Sequence, residues 1–302
     1  MTAPLVPRPA ATVMLVRDVH RRALARGADE HRRALARGAD EHPGAASEIE
    51  VFLMRRHTAM EFAGGVMVFP GGGVDERDRN ADIAWYGPEP LWWAQRLGVE
   101  TALAEALVCA AARETFEESG VLFAGPDSGS GAPGIISDAS VYRDARVALA
   151  GNALSFADFL REEKLVLRAD LLRPWANWIT PKEERTRRYD TFFFVAALPE
   201  GQRADGENTE SDRAFWSTPQ AGLDDFAEGR SFLLPPTWAQ LDSLNGRTVA
   251  EVLAVERKIG AIEPSLAVNA GGWEIEFFDS ERYNAARSHR SSFGEPAAGG
   301  AS

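Results

Sequence analysis

The stretch that most constrains this chain is Arg113-Glu114-Thr115-Phe116-Glu117-Glu118-Ser119-Gly120. Glu114, Glu117 and Glu118 stand at i, i+3 and i+4, so a helix sets all three carboxylates on one face. Three like charges that close repel one another, and the arrangement makes sense where something strongly positive neutralises them. A hard divalent cation does so: Mg²⁺ takes carboxylate oxygens together with substrate phosphate oxygens. Arg113, one turn before Glu117 and beside Glu114, can pin carboxylate geometry. On composition alone, the same run is a solvated acidic helix face. The Ala- and Leu-rich sequence before it predicts a helix over 101–119, stopped by Gly120. Leu103, Leu107 and Ala110 fall on its core face, and Cys109 on the same side reads as a packed thiol rather than a nucleophile.

Upstream stands Phe69-Pro70-Gly71-Gly72-Gly73. Glycines there let the backbone bend sharply and approach a ligand closely. Asp75 and Glu76 follow, either as oxygen donors near a metal or as ordinary loop solvation. Together the two stretches resemble the Nudix box, whose family pattern is G-x5-E-x7-R-E-U-x-E-E-x-G-U, with U a bulky apolar residue. Glu105 stands eight residues before Arg113, as the pattern asks. The glycines stand much earlier, so the box reads as split by an insertion of about residues 77–100. A split box resembles the peroxisomal coenzyme A diphosphatase branch of the family. On an unbroken helix Glu105 lies about 12 Å along the axis from Arg113, at about 1.5 Å per residue. A direct salt bridge is then not expected, and the family's use of that Glu to steady the glycine loop does not transfer simply.

The resemblance, over about residues 10–245, implies an α+β protein: a Nudix α/β/α sandwich with a mixed β-sheet, here with an inserted segment and extra C-terminal helices. It implies hydrolysis of a diphosphate joining a nucleoside to another group, with Mg²⁺ or Mn²⁺ on Glu114, Glu117 and Glu118. Glu210 is the candidate for an acidic ligand from a late loop, in competition with Glu207 and Asp212. Glu114 is either ligand or base, Arg113 orients it, and Gly71, Gly72 and Gly73 set backbone groups against metal or phosphate. The upstream signature of the coenzyme A-specific enzymes is matched in part, by Arg55, Gly65 and Phe69 to Gly72. Glu61 stands where a second Arg belongs, Leu53 replaces Thr, and Arg56-His57 replaces Ser-Ala. Arg187 and Arg188, beside Tyr189, either grip phosphates or form the charged start of a buried strand at 191–196. Coenzyme A or an acyl-CoA is the leading substrate. The alternatives are an ADP-ribose or NADH-type diphosphatase and a non-catalytic Nudix-fold binding module.

A net charge of −12 argues against a general nucleic-acid or anionic-membrane surface. It does not argue against a phosphate substrate, because bound metal reverses the local sign. No apolar run is long enough to span a bilayer, and no basic-then-apolar leader opens the chain. The expected partner is a small nucleotide-type substrate, with no nucleic acid and no membrane; the sequence allows a homodimer. The expected compartment is the cytoplasm; the peroxisomal branch carries a terminal address, whereas this sequence ends Gly299-Gly300-Ala301-Ser302.

One domain over 9–285 is expected, with 286–302 a disordered tail. Strands are predicted at 11–17, 49–56, 66–69, 121–124, 191–196 and 214–216, and helices at 139–167, 218–229, 237–244 and 248–259. Trp175 reads as core. Trp85, Tyr86, Trp92 and Trp93 make the insertion too aromatic for a disordered linker. Residues 20–30 recur letter for letter at 31–41, a duplication read as tolerated in a surface loop. His20, His31 and His42 recur with it and make a weak metal set.

Overall fold

The computed structural model describes residues 5–18, 49–57, 65–79, 82–129, 131–208, 211–269 and 272–288. The duplicated segment, His20, His31, His42, Glu61, Glu210 and residues 289–302 lie outside the described residues.

The chain begins with β1 (Arg8–Asp18), β2 (Ile49–Arg56), β3 (Met67–Val68) and β4 (Gly71–Gly73). A 3₁₀ turn (Glu76–Asp78) leads to β5 (Trp85–Tyr86), α1 (Pro90–Leu97) and α2 (Thr101–Ser119). Then come β6 (Ala124–Pro126), α3 (Arg143–Ala150), α4 (Phe156–Glu162), β7 (Leu165–Arg168), β8 (Arg173–Ile179), β9 (Tyr189–Ala197) and β10 (Ser211–Ser217). The last elements are α5 (Pro219–Ala227), α6 (Pro235–Leu244), α7 (Val249–Ala254), β11 (Ala261–Ile262), β12 (Ser265–Asn269), β13 (Gly272–Glu276) and α8 (Ser280–Ser288).

The main sheet has the order β10-β2-β1-β9-β8-β11, with β3 attached to β2 and β4 to β1. β1 and β9 are parallel from Arg8↔Tyr189 to Val16↔Ala197, while β2 and β8 flank them antiparallel. The sheet is therefore mixed, as expected. Period-two alternation sorts side chains to its two faces. Ala11, Val13, Leu15, Phe52, Met54, Phe192 and Phe194 share a core with α2. Met14, Val16, Val51, Leu53, Phe193 and Val195 share another with Phe226, Trp238 and Leu241 of α5 and α6. Helices thus cover both faces of an α+β sandwich.

α2 ends where the sequence says: Gly120 takes φ 72°, and its N–H donates to the Phe116 carbonyl. Arg146 of α3 caps that end, donating to the Glu117 carbonyl and pairing with Asp205 at 2.8 Å. Inside α2, the buried Thr115 and Ser119 hydroxyls donate back to the carbonyls of Ala111 and Thr115. Cys109 is buried, and burial pushes its thiol well up. The insertion is folded: α1 packs on α2, with Trp93 fully buried and tilted against Phe194 at 5.8 Å. β5 joins β7 and β6 in a small second sheet. No helix among the described residues is long and apolar enough to cross a membrane.

Several expectations need correction. Residues 121–123 are not a strand, because the Gln202 side chain takes both the N–H and the carbonyl of Leu122; pairing starts at Ala124. The helix expected over 139–167 is instead a 3₁₀ turn (Ala139–Tyr142) and two helices, α3 and α4, parted where Asn152 takes φ 58°; after Lys164, φ 54°, residues 165–168 are β7. The helix expected over 248–259 stops at Ala254, where Val255 turns extended. The hairpin β12–β13 was not anticipated, and α8 runs to Ser288, past the expected boundary at 285, with Ala286 packed on the second core.

Candidate active site

Two of the three glycines of β4 are required by close approaches; a Cβ on Gly73 would meet nothing within 4 Å. The strand pairs antiparallel with β1, Thr12↔Gly71 to Ala10↔Gly73, directly beneath α2. A Cβ on Gly71 would sit 2.5 Å from the Ala11 carbonyl oxygen, and one on Gly72 would sit 2.5 Å from Glu114 Oε1. No side chain larger than hydrogen fits either position unless neighbours move. Each glycine then meets one residue of α2. The Gly71 N–H donates to Glu118 Oε2 at 2.7 Å. Gly72 packs under the Glu114 carboxylate. The Gly73 carbonyl accepts from Arg113 Nη2 at 3.0 Å.

Arg113 is the hub. Its Nη1 reaches Glu114 Oε1 at 2.8 Å and Glu117 Oε2 at 3.3 Å. Its other edge is held by Asp78, with Nε–Oδ1 and Nη2–Oδ2 both 2.9 Å, a bidentate buried pair. Burial alone would lower the Arg113 pKa; Asp78, Glu114 and Glu117 outweigh it and push it up. Asp78 is 1% exposed, and its carboxylate also accepts from the Asp75 N–H in a capping box.

Asp78 is the residue that sequence reasoning missed. It follows Gly72 by six positions, the glycine-to-acid spacing of the box pattern, with Asp for Glu. Counting back from Arg113 leads to Glu105 instead, which is not among Arg113's partners. Asp78 and Arg113 stand 35 residues apart in the chain, so the insertion begins after residue 78, not at 77.

The structure brings together Arg113, Glu114, Glu117, Glu118, Gly71, Gly72 and Gly73. Arg55 lies elsewhere: it follows Leu53 on the strand face turned from α2 and pairs with Asp212 at 2.6 Å. Arg188 is buried and committed to the carbonyls of Thr180, Pro181 and Leu5 and to Glu263, so the charged start of β9 is structural. Arg187 is exposed. Asp75 is taken by Arg77, whose guanidinium holds its carboxyl down at about 2. The Asn208 side chain donates to the Glu118 backbone carbonyl at 2.8 Å. Trp175 is core.

The donor set is all oxygen and strongly acidic: Asp78, Glu114 and Glu117 face one guanidinium, and Glu118 lies on the Gly71 N–H. Among the described residues no group of three or more His, Cys, Asp or Glu side chains is placed to hold a metal ion by itself. Glu114 and Glu117 keep 13% of their side-chain surface exposed, which makes a partly open acidic wall. Such a wall suits a hard cation that keeps water and substrate oxygens in its shell.

The family model for the NUDT19 Nudix domain matches residues 87–244, just over half of the chain. The chain is 26% identical to acyl-coenzyme A diphosphatase NUDT19 of Xenopus laevis, over 66% of this chain and 60% of the relative. It is 28% identical to the Homo sapiens protein of that name, over 67% of this chain and 62% of the relative. It thus spans about three-fifths of the length of these curated relatives. The crystal structure of a NUDIX hydrolase from Alicyclobacillus acidocaldarius superposes with a TM-score of 0.59 at 24% identity, covering 84% of this chain and 98% of that one. With a glycine strand under an Arg-Glu-x-x-Glu-Glu helix and over half its length matched, this chain belongs to the Nudix family, in its NUDT19-type domain.

Proposed function

We propose that this protein hydrolyses a diphosphate linkage in a nucleoside-diphosphate-linked substrate, with coenzyme A or an acyl-CoA as the substrate class, using Mg²⁺ or Mn²⁺ held against Glu114, Glu117 and Glu118. The observation that carries the reading is the meeting of the Gly71–Gly73 strand and the α2 carboxylates at Arg113. When bound, the cation supplies positive charge against the diphosphate oxygens and activates the attacking water. Arg113 holds Glu114 and Glu117 at fixed angles, and Asp78 holds Arg113, so the carboxylates need little reorganisation when substrate arrives. The Gly71 N–H fixes Glu118 in the same way. Glu114 lies over Gly72, where a carboxylate can ligate or accept the water's proton. The substrate class rests on the acyl-CoA diphosphatase relatives and on the insertion that splits the box.

The test is product analysis by liquid chromatography. Purified protein with Mg²⁺ or Mn²⁺ receives CoA, acyl-CoAs, ADP-ribose and NADH in parallel, with Glu117→Gln as control. The expected result is 3′,5′-ADP and a phosphopantetheine from CoA, lost in the variant. AMP from ADP-ribose or NADH alone would move the substrate class while keeping the site. No turnover with either metal would favour a binding module.

A further inference from the structure

A cleft of about 370 Å³ opens where α1, the start of β8 and the chain after α7 meet. It shares no lining residue with the Arg113 site. Its walls carry Trp92 and Arg96 of α1, Arg173 of β8, and Glu256 and Arg257. In a chain of net charge −12 this cleft is locally cationic. Its two carboxylates do not balance it. Asp170 is gripped by Arg168 on both oxygens, at 2.7 and 2.8 Å. Glu256 is 82% exposed and only 3.4 Å from Arg96. Arg173 donates to the carbonyls of Asp170, Leu172 and Leu253, and its Nη2 has no partner among the described residues. Arg257 lies over the Trp175 ring at 3.8 Å and has no carboxylate partner among the described residues. Burial, then the neighbouring Arg247, push the Arg257 pKa down, so its charge stands uncompensated.

Guanidinium groups with free donors bind planar or tetrahedral oxyanions through charge-assisted, often paired hydrogen bonds. An aromatic wall beside them offers a stacking surface for the rest of the ligand; Arg96 already lies 5.1 Å over the Trp92 ring. We propose that this cleft is a second anion site, which takes the phosphate of a small phosphorylated molecule on Arg173 and Arg257 and its flat or apolar body against Trp92. The site stands independently of the reading of the Arg113 centre.

Isothermal titration calorimetry of the full chain in EDTA tests it, with AMP, inorganic phosphate and adenosine as probes. AMP should bind, phosphate more weakly, and adenosine not measurably. Arg257→Gln should weaken AMP roughly tenfold, the loss of one charge-assisted contact. Glu256→Gln removes an exposed competing charge without threatening the fold, and should tighten AMP about twofold. Glu117→Gln should leave AMP affinity unchanged. The proposal is overturned if wild-type protein binds no AMP, or if binding survives Arg257→Gln but disappears in Glu117→Gln.

Discussion

Arg113 and Arg188 are both buried arginines that tie one end of a strand to something distant in the chain, yet their surroundings are opposite in charge. Arg188 faces three carbonyls and one carboxylate, Glu263, and that carboxylate is shared with Lys182 at 3.3 Å. The cluster needs nothing further. Arg113 faces Asp78, Glu114 and Glu117, with Glu118 beside them on the Gly71 N–H. The centre is acidic, and carboxylates this close repel one another. A structural ion pair is balanced by the protein itself. The acids at Arg113 keep an edge open to solvent, 13% of the side chain for Glu114 and for Glu117, whereas the Arg188 side chain is only 4% exposed, which is why we read the first centre as a site and the second as a fastening.

The largest expected effect breaks the comparison on the acidic side. Glu117→Gln should lower diphosphatase turnover by about 10²-fold or more and weaken Mg²⁺ binding in titration calorimetry, because it removes a ligand and a charge. Its urea midpoint should not fall, since one repulsion is relieved. A variant that loses stability but keeps turnover would place Glu117 among the fastenings. Arg188→Ala should do the reverse. It leaves Glu263 without its buried partner and three carbonyls without a donor, a loss of about 3 kcal/mol in urea unfolding. Turnover of the folded fraction should stay within about twofold. A fall in kcat/KM at unchanged stability would return Arg188 to the substrate.

Asp78 sits on the border and sharpens it. Asp78→Asn keeps the shape but removes the charge that opposes Arg113, so both readouts should move: about 2 kcal/mol of stability and about tenfold in turnover. An effect on stability alone would separate the glycine-strand fastening from the chemistry.

How these residues looked in the sequence follows from where their partners lie. The α2 carboxylates were legible because their spacing is local: i, i+3 and i+4 on a helix whose stop, Gly120, is adjacent. Asp78 was not legible from Arg113, because the partner lies across a folded insertion and a nearer acid, Glu105, stands at the pattern's distance. Arg188 was ambiguous because Glu263 lies 75 residues away; an Arg-Arg-Tyr run beside a strand looks the same whether its partner is phosphate or protein. β7 was read as helix because Leu165-Val166-Leu167 is a short apolar run, and periodicity cannot assign one. The strands at 11–17, 49–56 and 191–196 were legible because their β-branched and aromatic residues need no distant partner to identify them, whereas the mixed sheet was expected only from the family resemblance.

The smallest expected effect tests whether proximity to the site is enough to make an acid part of it. Asp75 is near Arg113 in space, yet it caps the 3₁₀ turn through the Arg77 N–H and pairs with the Arg77 side chain at 2.9 Å. By the charge argument it is a fastening. Its carboxyl is held at about 2 against an ordinary 3.8, chiefly by the Arg77 hydrogen bond. A folded-state pKa below the unfolded one means the charged form contributes stability above about pH 4. That contribution is lost as pH falls toward 2. Asn keeps a capping oxygen but not the charge, so Asp75→Asn should cost about 0.5–1 kcal/mol at pH 7. The gap between wild type and variant in urea unfolding should narrow steadily from pH 5 to pH 3. Turnover at pH 7 should change less than about twofold, because Arg77 is the chief partner of Asp75 and Arg113 influences it least.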